Sequence, residues 1–328
     1  MSTAAAKIVR FYNPGTPDVL KMEDIEVGPP KAGEVQIEHK AIGLNYIEVY
    51  WRTGVYPQPL PCCPGTEGAG IVRAVGEGVT DLKVGDRVAY GSGPVGSYST
   101  VRNMPAHPLV KIPDSIDFET AAAMMLKGFT AQYLLRRVYK VQAGETILFH
   151  AAAGGVGTIA TQWAKSLGVR VIGTVSTREK AELAKANGCA EVIITSEENI
   201  VDRVKELTDG KGVPVVYDSV GKATFMDSLN CLKPRGMMVS FGNASGKVDP
   251  VPLQWLAERG SLVLTRPTVA SFTIDKAEML ESAAEMFAVV SSGAVKIQIN
   301  QRFALADVVT AHTELEGRRT TACTVLIP

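Results

Sequence analysis

The N-terminal third of the chain alternates short apolar runs with glycine and proline. Ile8 to Phe11, Glu34 to Ala41, Ile71 to Val75, Arg87 to Tyr90 and Ser97 to Val101 read as strands of a mostly β, barrel-like unit. At Asp117 the period changes. Phe118 to Met125 and Phe129 to Val138 carry apolar residues at helical spacing, with Asp117 placed as an N-cap. Beyond Val141, strands that are apolar throughout alternate with helices. The strands are Thr146 to His150, Val169 to Val175, Glu191 to Thr195, Val213 to Asp218, Met237 to Phe241 and Leu262 to Thr265; one helix ends at Leu167 and others start at Arg178, after Glu198 and after Lys222. This alternation predicts a parallel sheet covered on both faces and built from right-handed βαβ units, an α/β fold. After Pro267 a helical stretch, Asp275 to Ser291, leads into short strands towards Pro328.

A length of 328 residues fits two domains. The expected boundaries place one domain at 1–127, a second at 128–267 and the remainder of the first at 268–328. Apolar residues make up 46% and charged residues 21%, values of an ordinary soluble globular chain. With 34 basic and 34 acidic residues there is no net field to collect phosphates, and no basic run exceeds Arg136-Arg137 or Arg318-Arg319, which argues against a nucleic-acid binder. The longest uncharged stretch, Thr146 to Ala164, holds Gly154, Gly155, Gly157, His150, Thr158 and Gln162 and is too polar to span a membrane. No apolar leader segment follows Met1, so a cytoplasmic protein is expected. Five cysteines, Cys62, Cys63, Cys189, Cys231 and Cys323, read as buried or half-buried thiols in a reducing compartment rather than as a disulfide framework.

The strongest chemical signal is the strand Thr146-Ile-Leu-Phe-His150 followed by Ala151-Ala-Ala-Gly-Gly-Val-Gly157 and a helix. In the G-x-G-x-x-G frame the three positions are Ala152, Gly154 and Gly157. Gly154 lets the backbone approach a pyrophosphate, Gly157 allows close packing of the helix, and the helix N-terminus offers N–H groups to the phosphate charge. Dinucleotide binders that take NAD place an acid at the end of the next strand, ~20 residues on. Here the segment is Gly173-Thr-Val-Ser-Thr-Arg-Glu-Lys180, with no acid at the strand end. Ser176, Arg178 and Lys180 suit a 2′-phosphate instead, which favours NADPH over NADH.

These residues resemble the zinc-free, zeta-crystallin-like quinone oxidoreductases of the medium-chain dehydrogenase/reductase superfamily. The resemblance runs through Gly144-Glu145, Leu148, Ala151-Ala152, Gly154-Gly155-Val156-Gly157, Gln162 and Lys165. It continues through Gly43-Leu-Asn45, Gly65-Thr-Glu-Gly-Ala-Gly70, Tyr217-Asp-Ser-Val-Gly221 and Ser240-Phe-Gly-Asn243, and is nearest to the bacterial-type NADPH:quinone reductases. It implies a doubly wound parallel Rossmann sheet inserted into a GroES-like, mostly β catalytic domain, assembled as a homodimer or homotetramer. It also implies hydride transfer from NADPH to a small-molecule quinone or other electrophilic acceptor. Asn45, Tyr50 and Tyr56 would line the acceptor pocket. Asn45 again, with Thr130, Gly154, Gly155, Val156, Gly173, Ser176, Lys180, Thr195, Phe241, Asn243 and Arg318, would contact the cofactor: Gly154, Gly155 and Val156 the pyrophosphate, Lys180 and Arg318 the 2′-phosphate, Phe241 and Asn243 the nicotinamide ribose and ring. Two departures soften the expected NADPH preference, Thr195 where a Tyr is usual and Ala322-Cys323 where a Gly-Lys pair is common.

The metal question is argued from residues. Zinc-dependent relatives carry a His at the position of Thr66 and four cysteines in the segment corresponding to Gly91 to Pro108, which has none here. A threonine hydroxyl is a poor zinc ligand, so no metal site is expected and alcohol oxidation is set aside. An alkene or enone reductase on the same fold stays open as the alternative, with an RNA-binding or crystallin-type role behind it.

Overall fold

The computed structural model describes residues 3–328 and divides into two compact units. One comprises the described residues up to Phe129 with Phe272–Phe287 and Ile297–Pro328; the other comprises Thr130–Ser271 with Ala288–Lys296.

In the first unit β1 (Ala4–Arg10) and β2 (Lys21–Val27) form an antiparallel pair. The long strand β3 (Glu34–Leu44) runs into the short helix α1 (Tyr46–Arg52), and β4 (Gly68–Val75), β5 (Arg87–Tyr90), β6 (Val101–Pro105) and β7 (Val110–Lys111) follow. Two strong apolar clusters hold this unit together. Val35, Ile37, Val72, Val88, Tyr90 and Met104 form one, and Val9, Phe11, Ile42, Leu44, Tyr98 and Leu326 form the other.

Two expectations change here. The segment from Ser97 is not a strand: Ser97 N–H bonds the Gly65 carbonyl and Tyr98 N–H the Pro64 carbonyl, so the chain is tied to the loop before β4, and the ladder with β3 starts only at Val101. The two helices expected after Asp117 are one, α2 (Phe118–Tyr133). Its Gly128 is a poor helix former, by about 1 kcal/mol against Ala. It is required because a Cβ there would land on Met286 Sδ. Asp117 does act as the cap, accepting from Thr120 N–H at 2.7 Å. A π-helical turn, Leu134–Val138, continues α2.

In the second unit β8 (Thr146–Phe149), α3 (Gly155–Ser166), β9 (Arg170–Val175), α4 (Arg178–Ala186), β10 (Glu191–Ile194), α5 (Ile200–Leu207), β11 (Val213–Asp218), α6 (Phe225–Asn230), β12 (Leu232–Ser240) and β13 (Val263–Thr265) alternate. All pairings are parallel, in the order β10-β9-β8-β11-β12-β13. In chain order that is 3-2-1-4-5-6, the doubly wound arrangement whose ligand crevice opens where the order reverses, between β8 and β11. The returning strip of residues 288–296 is pinned to α3 by Gln162, whose Nε2 donates to the Lys296 carbonyl at 3.1 Å while its Oε1 accepts from Lys296 N–H at 2.9 Å.

The last strands, β14 (Ile299–Ala304) and β15 (Cys323–Ile327), return to the first unit. There the seven-stranded sheet has the order β14-β15-β3-β4-β5-β7, with β6 paired to β3.

Candidate active site

The apolar strand β8 is buried at the centre of its sheet because helices cover both faces, and it delivers the chain to the glycine loop. The left-handed turn is made by Ala151, at φ 53°, one residue before the position expected for the first glycine. Gly154 then caps α3: its N–H bonds the Ala151 carbonyl at 2.9 Å, and its own carbonyl accepts from Thr158 N–H at 2.9 Å. The first-turn N–H groups of α3 point out of the helix without intrahelical acceptors, beside half-buried Gly154, Gly155 and Val156. A Cβ on Gly157 would strike the Ala151 carbonyl oxygen and lie 2.7 Å from the Ala152 carbonyl carbon, whereas one on Gly154 would lie 3.2 Å from the Ala151 oxygen. Gly157 is therefore the glycine the loop cannot do without, and what it accommodates is the loop itself rather than the strand.

Under the loop lies a buried polar chain that the sequence did not advertise. Asp218, at the end of β11, accepts from Ser228 Oγ at 2.8 Å and Thr224 Oγ1 at 2.7 Å, and from the N–H groups of Val220 and Gly221. Ser228 also meets His150 Nε2 at 3.0 Å, and His150 Nδ1 meets Thr174 Oγ1 at 2.9 Å. Burial holds the His150 imidazole below its ordinary pKa, opposed by Asp218. The chain thus ties β8, β9 and β11 together at the point where the strand order reverses.

At the ends of β9 and β10, register pairing of Val175 with Ile194 sets Ser176 and Thr195 side by side. Both are exposed, and Thr195 Oγ1 donates back to the Val175 carbonyl at 3.2 Å. Half-buried Lys180 sits in the first turn of α4, its N–H bonded to the capping hydroxyl of Thr177. Arg178, read from sequence as a possible phosphate partner, is exposed and pairs with Glu197 at 2.8 and 3.1 Å. Gly173 is buried deeper in β9: a Cβ there would meet Cys189 Sγ at 2.6 Å and Ala152 Cβ at 2.8 Å, so packing accounts for this glycine. Phe241, after β12, packs its ring 5.9 Å from that of Phe149 and donates its N–H to the Asp218 carbonyl, while the Asn243 carbonyl accepts from Gly246 N–H. Thr130 is buried, hydrogen-bonded to the Tyr133 phenol, whose pKa burial pushes up to about 12.

In the first unit Asn45 is the N-cap of α1 and is buried. Its N–H is taken by the carboxyl of Glu48, three residues on, in a capping box. Its Nδ2 donates to Glu67 Oε2 at 2.8 Å. Glu67, fully buried on the approach to β4, also accepts from Leu126 N–H at 2.8 Å and from Lys127 Nζ at 2.7 Å. Burial alone would lower the pKa of the Lys127 ammonium, yet Glu67, with Cys323 and Glu48, carries it above the ordinary lysine value. Burial pushes the Glu48 carboxyl up to about 8. Tyr50 and Tyr56 are half-buried edge to face, centroids 5.1 Å apart, and Tyr46 extends the series with its ring 5.3 Å from Tyr50. Arg318 is exposed, at φ 56° just past the C-terminal helix Val308–Glu316, with its charge felt by Tyr46.

Asn45, Tyr50 and Tyr56 therefore lie on or next to one short helix, and Ser176, Lys180 and Thr195 at neighbouring strand ends. Glu67, Lys127, Asp218 and His150 were missed. Lys127 had a signal: it is the sole charge between Glu119 and Arg136 in an apolar helix, and such a charge needs a buried partner.

The profile described as alcohol dehydrogenase GroES-like domain matches residues 31–114, and that described as zinc-binding dehydrogenase matches residues 155–289. The quinone oxidoreductase of Pseudomonas aeruginosa is 55% identical over 324 residues, which cover 98% of this chain and 100% of that protein. This chain belongs to the quinone oxidoreductase family of medium-chain dehydrogenases/reductases. Within that family, the Escherichia coli quinone oxidoreductase crystallised with NADPH is 47% identical with a TM-score of 0.97, covering 98% of this chain and 100% of that one. The 2-haloacrylate reductase of a Burkholderia species is 43% identical over 326 residues, covering 97% of this chain and 98% of that protein. Although one matching profile is named for zinc, among the described residues no three or more His, Cys, Asp or Glu side chains are grouped to hold a metal ion.

Proposed function

We propose that this protein reduces quinones with NADPH. The observation that carries the reading is the β9–β10 end of the parallel sheet, where Ser176, Thr195 and Lys180 stand in place of the acid that would take a ribose 2′-hydroxyl. The glycine loop fits a pyrophosphate: Gly154, Gly155 and Val156 offer N–H groups at a helix N-terminus, over a turn that tolerates no side chain at Gly157. Lys180 binds the 2′-phosphate with Ser176 and Thr195. Thr130, Phe241 and Asn243 border the nicotinamide end. NADPH, when bound, supplies the hydride.

The chain's own contribution is orientation and electrostatics. The Asn45 amide and the phenols of Tyr50 and Tyr56 donate to the acceptor oxygens as negative charge grows on them, and the hydroquinone anion takes its proton from water. An activated alkene is the second acceptor class, favoured by the 43% identity to a 2-haloacrylate reductase. The protein works in the cytoplasm, in keeping with five free thiols. It assembles as a homodimer or homotetramer; the open edge strand β13, with Val263 46% exposed, supports a partner there.

The deciding measurement is NADPH oxidation with 1,4-benzoquinone and with an enone, each with and without a chelator. Chelator-insensitive turnover, faster with the quinone, is expected. An enone reduced faster than the quinone overturns the choice of substrate class.

A further inference from the structure

We propose that Glu67 and Lys127 are positioning residues for Asn45, a buried ion pair that fixes which edge of the Asn45 amide faces the acceptor. The inference rests on the quinone-reductase reading, because it assigns Asn45 an acceptor to orient.

An asparagine amide is nearly symmetric in shape, and a flip exchanges Oδ1 for Nδ2 at almost no steric cost. Glu67 breaks that symmetry. Its Oε2 stands 2.8 Å from Asn45 Nδ2. In the flipped state an amide oxygen would face a carboxylate oxygen, two acceptors with no proton between them. One N–H of the amide is thereby committed to Glu67, which leaves the other as the one an acceptor oxygen can recruit, in competition with the Glu48 carboxyl. Glu48 holds the main chain of Asn45 and, through the reciprocal half of the capping box, its side chain as well, so the flip that Glu67 selects is the one the Glu48 N–H also favours.

The carboxylate has been given room deliberately. Gly43, on β3, is the residue whose Cβ would fall on Glu67 Oε2. Lys127 completes the arrangement. A lone buried carboxylate next to Asn45 would oppose negative charge growing on the acceptor, and the Lys127 ammonium at 2.7 Å cancels it. The pair contributes no proton and touches no substrate: it acts through Asn45.

The test uses the full chain with Glu67→Gln, Lys127→Met and the two combined, beside Asn45→Ala. Gln is neutral and holds the flip less strongly than a carboxylate, and in the combined variant, with its oxygen taken by the Leu126 N–H, its amide nitrogen faces Asn45 and opposes the native flip. The first readout is the Asn45 side-chain amide in ¹⁵N spectra, assigned by its loss in Asn45→Ala. It is expected to be sharp and slow to exchange in the wild type, and shifted or doubled in Glu67→Gln. The second readout is kinetic: kcat with 1,4-benzoquinone is expected to fall about 100-fold, the scale of a misplaced catalytic group, with the NADPH Kd, followed by fluorescence, unchanged. Should a single variant fail to fold, the combined neutral variant serves in its place, with the same amide shift and the same loss of kcat expected. An Asn45 amide resonance and a kcat unchanged in a folded Glu67→Gln or combined variant overturn the proposal, as does a loss of NADPH binding that parallels the loss of kcat. A wild type that turns over no quinone defeats the functional reading instead, and the amide resonance still decides whether Glu67 sets the flip.

Discussion

The glycine loop and the Asn45 cluster solve different problems. At Ala151–Gly157 the groups that would meet a ligand belong to the backbone, and the side chains matter by their absence. At Asn45 the groups that matter are side chains, held by partners 22 and 60 positions away in sequence: Glu67 lies 22 residues from Asn45, and Lys127 lies 60 from Glu67. The first site is written locally and fails by added bulk; the second is written across the fold and fails by a lost partner.

That contrast can be broken at four points. Lys127→Met strands the Glu67 carboxylate in the interior and is expected to cost about 3–5 kcal/mol of stability, most of it recovered in the combined Glu67→Gln/Lys127→Met variant; denaturant titration of both checks this. Gly157→Val drives a side chain into the Ala151 and Ala152 carbonyls. An overpacking cost of about 2 kcal/mol is expected, with NADPH binding lost in a fluorescence titration while the circular dichroism of the fold persists.

The third point is pH. Glu48 titrates near 8 in the folded chain against 4.5 when exposed. Its contribution is full below 4.5 and is lost as pH rises towards 8, because unfolding releases a proton the buried carboxyl retains. The buried His39 and His312, held down to about 4 and about 3 chiefly by burial, and His150, also lowered by burial, act in the opposite sense: they cost stability as pH falls through 6.5 and offset part of the Glu48 loss at the lower end of the range. Between pH 6.5 and 8 the wild type is therefore expected to lose on the order of 1–2 kcal/mol. Glu48→Gln, which can keep the capping box, is expected to lose no stability over that range in thermal melts. The smallest effect belongs to Lys180→Ala, with an apparent KM for NADPH raised about tenfold, roughly 1.4 kcal/mol, and that for NADH unmoved. Equal weakening with both cofactors would remove Lys180 from the 2′-phosphate.

How much was legible follows the same division. The parallel sheet could be read because each strand is apolar throughout and each helix starts at a local signal, as Arg178 does after Thr177. The segment after Ser97 could not, because its fate is decided by carbonyls of Pro64 and Gly65, which no window around it contains. The single α2 was obscured by Gly128, whose reason is Met286, far along the chain. At the site, Asn45 was found by resemblance while Glu67, which orients it, passed as one member of a glycine-rich motif. Nor did the sequence show that Arg178, a cation near a strand end, pairs with Glu197.

The clamp between Gln162 and residue 296 bears on how this chain can be recombined. The parallel-sheet unit is not one contiguous cassette, since its last strip arrives only after a helix that begins in the other unit. Both hydrogen bonds of the clamp end on the main chain of Lys296. A chimera with a crossover between the two segments would therefore accept a foreign side chain at 296, but not one residue more or fewer in the return path. What such an exchange must preserve there is spacing, not identity.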